Sequence, residues 1–435
     1  MLMSKKKELI PKLRFPEFVD EGEWDTKKLG EISEIVRGGS PRPIQDFLTT
    51  NESGLNWLKI ADVSSDSKYI TETKEKIIKE GLSSTREVNP GDLILSNSMS
   101  FGRPYILKIK TCIHDGWIAI RNISNKTFEY YLYYFILSEA SQKYFHTNAA
   151  GAAVKNLNAD IIKLLPIYLS KDKREQQKIA SCLSSLDEVI ASESQKLDLL
   201  KDHKKGLMQK LFPQEGEKVP KYRFKEFDND GEWVEKPIDK IKTILTDYVA
   251  NGSFQSLRKN LNVLDSEDYA FYVRLTDLRA GLGHSNQKYV DKNTYLFLNK
   301  SSLFGGELLM ANIGANVGEV WQMPFIEKPA TLAPNMIMIK FKSDIDNQFI
   351  YQYLTSDIGV ANISSVISGS GHPKINKTDL RQVKVFMPPK LEEQQKIASC
   401  LSFLDALITS KTEKIKQLKL HKKGLMQRLF PKIND

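Results

Sequence analysis

Residues 175–213 read EQQKIASCLSSLDEVIASESQKLDLLKDHKKGLMQKLFP, and residues 393–431 read EQQKIASCLSFLDALITSKTEKIKQLKLHKKGLMQRLFP. The offset is 218 residues, and 27 of the 39 aligned positions are identical. Self-similarity of this kind makes the chain two copies of one unit, each ending in a long helix. Function is therefore to be sought in the pair.

Within the first stretch Ile179, Leu183, Leu186, Ile190, Glu193, Leu197, Leu200, Lys204, Leu207 and Leu211 alternate spacings of four and three. In the second, Ile397, Leu401, Leu404, Ile408, Lys411, Ile415, Leu418, Lys422, Leu425 and Leu429 keep the same register. A 3.5-residue period sustained over more than about four heptads is a coiled-coil seam, longer than a docking helix needs. Two such seams in one chain are expected to pair. Glu193 and Lys411 fall opposite one another in either direction and set the alignment. Lys204 and Lys422 favour the antiparallel direction, because a parallel pair brings them together as like charges; their long stems are expected to reach solvent. The 33-residue seam is about 50 Å long at about 1.5 Å per residue. An antiparallel pair implies a pseudo-twofold rod that holds two domains between one and two turns of duplex DNA apart.

Outward from the helices, residues 11–24 read PKLRFPEFVDEGEW and residues 220–233 read PKYRFKEFDNDGEW, at an offset of 209. Each copy thus opens on the same turn-forming lead. Gly91, Asp92, Leu93 and Ile94 answer to Gly306, Glu307, Leu308 and Leu309 at 215, and from the aromatic segment onward the offset is 218. Length differences confined to the variable parts indicate surface loops on a shared scaffold. Strand and turn signals dominate there, with one helix expected over residues 129–144 and its match over 347–358. Tyr131, Leu132, Phe135 and Ile136 fall at helical spacing and are expected in a core. The fold class is α+β: recognition-type domains over 1–170 and 214–389, and long helices over 171–213 and 390–431.

The formal charge of +9 and a pI near 9.0 imply attraction to polyanions. Cys112, Cys182 and Cys400 form no close pair, which argues against a disulfide framework or a zinc site. No apolar run approaches the length of a membrane span, and the lysine-rich start lacks a signal-peptide core, so a cytoplasmic protein is expected. Catalytic signatures are missing. There is no Gly-Lys dipeptide for a phosphate loop, no Pro-Asp to begin a metal-dependent nuclease motif, and no HExxH or CxxC. Pro388-Pro389 lies between Met387 and Lys390, outside any amino-methyltransferase motif.

Two diverged domains alternating with two near-identical helices resemble the specificity subunit of type I restriction-modification systems, over essentially the whole chain. The residues that carry the resemblance are Leu13 to Phe18 with Gly22, Glu23 and Trp24, then Glu175 to Ala180 and Lys204 to Gln209. They recur as Arg223, Phe224, Glu226 and Phe227 with Gly231, Glu232 and Trp233, then as Glu393 to Ala398 and Lys422 to Gln427. The resemblance implies that each variable domain reads one half of a split target in double-stranded DNA. It further implies helices that offer surfaces to two methyltransferase subunits, and restriction and motor subunits that join through the complex. S-adenosylmethionine, ATP and Mg2+ then belong to those partners, and this chain is non-catalytic and holds no cofactor or metal. On this reading a change in rod length changes the unread gap and neither specific part.

Base reading favours polar and cationic side chains on loops. The candidates in the first domain are Arg37, Ser40 and Arg42 of RGGSPR, and Asn97, Ser98 and Arg103 of SNSMSFGR. In the second they are Asn251, Ser253 and Arg258 of NGSFQSLR, Asn312 and Asn316 of ANIGAN, and the loop pair His372 and Lys374. Because the sets differ, the half-sites should differ. The alternative is a coiled-coil scaffold with two protein-binding heads, which predicts weak, salt-sensitive DNA affinity without sequence preference.

Overall fold

The computed structural model describes residues 9–64, 67–97, 101–149 and 157–431. The chain forms two compact units, Met1–Ser194 with Glu413–Asp435, and Gln195–Thr412. Each long helix is thus shared between units, where the sequence reading sets the helices apart as segments of their own.

In the first unit one sheet has the order Glu34–Arg37, Trp117–Arg121, Leu93–Ser96, Pro104–Leu107, Tyr69–Ile70. A second sheet runs Leu48–Thr49, Glu75–Ile77, Leu55–Leu58, Thr111–Ile113, Arg86–Val88, with Leu55–Leu58 and Thr111–Ile113 parallel. The second unit repeats this order without a counterpart of Tyr69–Ile70. Its sheets are Lys242–Asp247, Met336–Phe341, Leu308–Ala311, Val320–Gln322, and Val263–Leu264, Lys288–Val290, Ala270–Val273, Ala330–Leu332, Ser302–Leu303, with Ala270–Val273 and Ala330–Leu332 again parallel. Strand order has outlasted sequence similarity. The buried strands Leu93–Ser96 and Leu308–Ala311 are each entered through a glycine in the left-handed region, Gly91 at φ +93° and Gly306 at φ +83°.

The helix expected over 129–144 is two helices, Glu129–Leu137 and Glu139–Asn148. Ser138 between them is extended and its Oγ accepts from Ser141 N, so the side chain caps a new helix and ends the old one. Ser356 does the same between Asn347–Leu354 and Asp357–Ser364, accepting from Gly359 N. Apolar periodicity runs through both serines and hides the break. Tyr131, Leu132, Phe135 and Ile136 are at most 2% exposed and belong to the core.

The long helices are Lys173–Leu211 and Leu391–Leu429. In the first unit Asp187 pairs with Lys422 and Glu193 Oε1 with Lys414 Nζ at 3.2 Å. Partner numbers fall as residue numbers rise, so the segments run antiparallel. In the second unit Lys204 Nζ meets Asp405 Oδ1 at 2.6 Å, and Met208 and Leu211 share a core with Ile397 and Leu401. Leu183 and Leu401 are fully buried, Leu197, Leu404 and Ile415 nearly so, and Leu186, Ile190, Leu200, Ile408, Lys411 and Leu418 half-buried. Glu193 is paired with Lys414, one turn beyond Lys411. One detail departs from the sequence reading. Lys204 and Lys422 reach solvent only in part: their side chains are 15% and 19% exposed, and each is neutralised by an aspartate, since a half-buried ammonium needs a counter-charge.

The repeated motifs lock each recognition domain onto its helix ends. Arg14 forks onto Glu175 at 2.7 and 2.9 Å, donates to Gly22 O, and shares the carboxylate with Trp24 Nε1. Arg223, Glu393, Gly231 and Trp233 repeat that arrangement. Hydrogen bonding to Glu175 and to Glu393 raises the two guanidinium pKa values above the ordinary arginine value. Gln176 Oε1 takes Phe128 N, and Gln394 Oε1 takes Asp346 N. Phe430 packs on Tyr131 and Phe135 in the first unit, and Phe212 on Trp233, Phe349 and Tyr353 in the second. Asp187 accepts from both Tyr134 and Lys422, as Asp405 accepts from Gln352 and Lys204. The first unit adds Lys68, whose Nζ donates to Tyr134 Oη and Ser184 Oγ, each at 2.9 Å, inside a cage of four tyrosine rings.

Candidate nucleic-acid interface

Strand Glu34–Arg37 delivers its last residue into the loop RGGSPR, and the two glycines let that loop lie against the backbone of residues 113–117. Gly38 N donates to Trp117 O and Gly39 N to Ile113 O. A Cβ at Gly38 would stand 2.2 Å from His114 O, and one at Gly39 2.4 Å from Ser84 O, so neither position accepts a side chain. The loop closes on Asp115. Arg37 Nε donates to the Asp115 carbonyl at 3.1 Å, Ser40 Oγ to Oδ1 at 3.2 Å and Arg42 Nη2 to Oδ2 at 3.3 Å. Asn97, at the end of strand Leu93–Ser96, donates through Nδ2 to the same carbonyl at 3.1 Å.

Four of the sequence candidates from two distant segments therefore meet on one residue that the sequence did not single out. The Asp-Gly dipeptide at 115–116 marks a turn, but nothing local says what that turn gathers. Arg103 sits over the Tyr105 ring, with its Nε buried and without a protein partner. Ser98 lies outside the described residues.

In the second unit the candidates form two groups. Asn251 is held internally: its Nδ2 donates to Tyr248 O and Ser301 Oγ, and its Oδ1 accepts from Lys300 N. Ser253 caps the helix Phe254–Asn260 through Ser256 N, and Arg258 is exposed on that helix. Asn251 and Ser253 thus shape this loop. The other group joins the turn after Leu308–Ala311 to the segment before Ile375. Gly314 N donates to Pro373 O and Ile375 N to Asn312 O, and Lys374 bridges to Ile313 and Ser368. This brings Asn312, Asn316, His372 and Lys374 to one edge, with Asn316, His372 and Lys374 exposed.

The frame beneath the loops is duplicated while the chemistry is not. Asn97 N donates to Gly116 O and Asn97 O accepts from Leu157 N; Asn312 N donates to Asn335 O and Asn312 O accepts from Ile375 N. Where the first copy has Asp115-Gly116, the second has Pro334-Asn335, with Asn335 at φ +69°. The second copy therefore has no carboxylate at the Asp115 position. Asp247, which ends its first strand, instead accepts from Lys377.

Among the described residues no helix is long and apolar enough to cross a membrane, and no cluster of three or more His, Cys, Asp or Glu side chains is placed to hold a metal ion.

The chain matches the model of the type I restriction modification DNA specificity domain over residues 21–202 and again over 231–420. It is 27% identical to a protein of Methanocaldococcus jannaschii provisionally named as the type I restriction enzyme MjaX specificity subunit, across 99% of this chain and 97% of that one. The MjaVIII specificity subunit of the same organism is 23% identical, covering 96% and 93%. The S subunit of a type I restriction-modification system from M. genitalium superposes with a TM-score of 0.60 at 14% identity, over 98% of this chain and all of that one. Duplicated frame, diverged loops and family match agree, and the chain belongs to the DNA specificity subunits of type I restriction-modification systems, the non-catalytic component that carries DNA target recognition.

Proposed function

We propose that this chain recognises a two-part DNA target, one part read by each recognition domain, and directs an adenine-methylating and restricting complex to it. The observation that carries this reading is a strand order that the two units share, but for one edge strand, under loops of different chemistry, Asp115 gathering arginines in one unit and Asn312, Asn316, His372 and Lys374 meeting in the other. Arg103 Nε and Asn312 Oδ1, buried at these loops without a protein partner, fit surfaces that water or a ligand completes.

The proposed partners are two copies of a methyltransferase subunit, with restriction and motor subunits joining the complex; S-adenosylmethionine, ATP and Mg2+ are assigned to those subunits. Support comes from large apolar side chains on the outer faces of the long helices. Val189 and Leu420 are exposed in the first unit, and Leu199, Phe403 and Leu407 in the second, with Phe403 65% exposed.

The test is methylome sequencing of cells with and without the chain, its methyltransferase subunit being present in both. One bipartite adenine motif should disappear with the chain. Unchanged methylation would overturn the reading.

A further inference from the structure

We propose that Asp115 is the positioning residue of the first recognition surface, holding Arg37, Ser40, Arg42 and Asn97 in one arrangement so that the surface discriminates bases instead of merely attracting phosphates. This rests on the reading that the loops of the first unit contact DNA.

Asp115 sits in the turn between Thr111–Ile113 and Trp117–Arg121, strands of different sheets, and so joins segments that no single sheet aligns. Its carbonyl oxygen accepts from Arg37 and Asn97, and its two carboxylate oxygens accept separately from Ser40 and Arg42. Each oxygen therefore has an assigned donor. Stability does not explain the carboxylate. The Arg42 side chain is 80% exposed, and ion pairs this open contribute little to folding.

Affinity does not explain it either. An anion set among cations on a surface that meets a polyanion opposes binding. What remains is orientation. The carboxylate restrains Arg42 from roaming along phosphates and keeps its guanidinium, with Ser40 and the Asn97 amide, in a fixed relation, as base-edge contacts require. The second unit has Pro334 at this position, so the device belongs to one half-site.

The test uses the full chain in complex with its own methyltransferase subunit, presented with duplex pools randomised separately in each half of its methylated motif. Asp115→Asn preserves shape and carbonyl while removing the charge. Discrimination in the half assigned to the first domain should fall about tenfold or more, the range set by one well-placed base contact, with the other half unchanged. Total DNA affinity should stay equal or rise.

A merely structural role would instead weaken binding at both halves. If Asp115→Asn fails to fold, as read by its melting transition, the double variant Ser40→Ala with Arg42→Ala removes the two side chains that donate hydrogen bonds to the carboxylate and should give the same one-sided relaxation. Wild-type discrimination at both halves in either folded variant would overturn the role of Asp115. Absence of any motif preference in the wild-type complex would instead overturn the DNA reading beneath it.

Discussion

Glu175 and Arg14 are 1% and 5% exposed at their side chains, and a forked pair so buried is costly to break on one side only. Glu175→Ala leaves a buried guanidinium and the Trp24 indole without their acceptor. It should cost the first unit about 3–5 kcal/mol in denaturant unfolding. Glu393→Ala should do the same to the second. Lys68 offers a test in pH. Burial pushes its ammonium down from 10.5 to about 8; Asp187 and Glu188 oppose the shift, and Lys422 and Lys108 add to it. Between those values the unfolded chain holds the proton and the folded chain does not, so stability rises with pH there; the contribution is full above 10.5 and lost as pH falls through about 8. Tyr69, whose hydroxyl burial pushes up to about 12, acts in the opposite sense at higher pH. The melting temperature of the wild type relative to Lys68→Met should therefore climb between about pH 8 and pH 10.5. A flat difference would exclude the caged lysine as a titrating group.

At the scale of the element, Asp187 and Asp405 each tie a long helix to the antiparallel helix and to the recognition domain at once. Asp187→Ala strands the half-buried Lys422 and the Tyr134 hydroxyl. Hydrogen bonds to charged groups are worth about 1.5–3 kcal/mol, and a loss of that size is expected in the first unit. Its check is the unfolding midpoint, compared with Asp198→Ala on an exposed position of the same helix, which should be near neutral. The heptad pattern revealed both long helices and the residues on their seam. It did not reveal that Lys204 and Lys422 would be ion-paired, because Asp405 and Asp187 lie outside the periodic positions. Likewise the capping serines Ser138 and Ser356 sit inside apolar patterns that read as unbroken helix.

For the whole molecule, replacing residues 25–170 by the corresponding domain of another specificity subunit should change one part of the methylated motif and leave the other, read by methylome sequencing. A change in both parts would mean that the two domains do not read independently. The locks also alter the reason for the repeat. The proposed pair of identical partners accounts for the near-identity of the two helices only at exposed positions, whereas Glu175, Gln176, Phe212, Glu393, Gln394 and Phe430 are buried. Those positions are held alike because each closes the same joint inside its own unit.

The sequence by itself determined the duplication, the long helices, the α+β class and the family, because periodicity and repeated motifs are one-dimensional signals. It also named the loops in which recognition is expected. Only the tertiary structure decided what those loops are built around. Asp115 stands 73 residues beyond Arg42 and 18 beyond Asn97 in the chain, and is joined to them across two sheets whose strand order no local pattern encodes. The same limit explains Asn251 and Ser253, which read as free polar side chains on a loop and prove to be its internal fastenings: a side chain's partners are set by what the fold brings beside it.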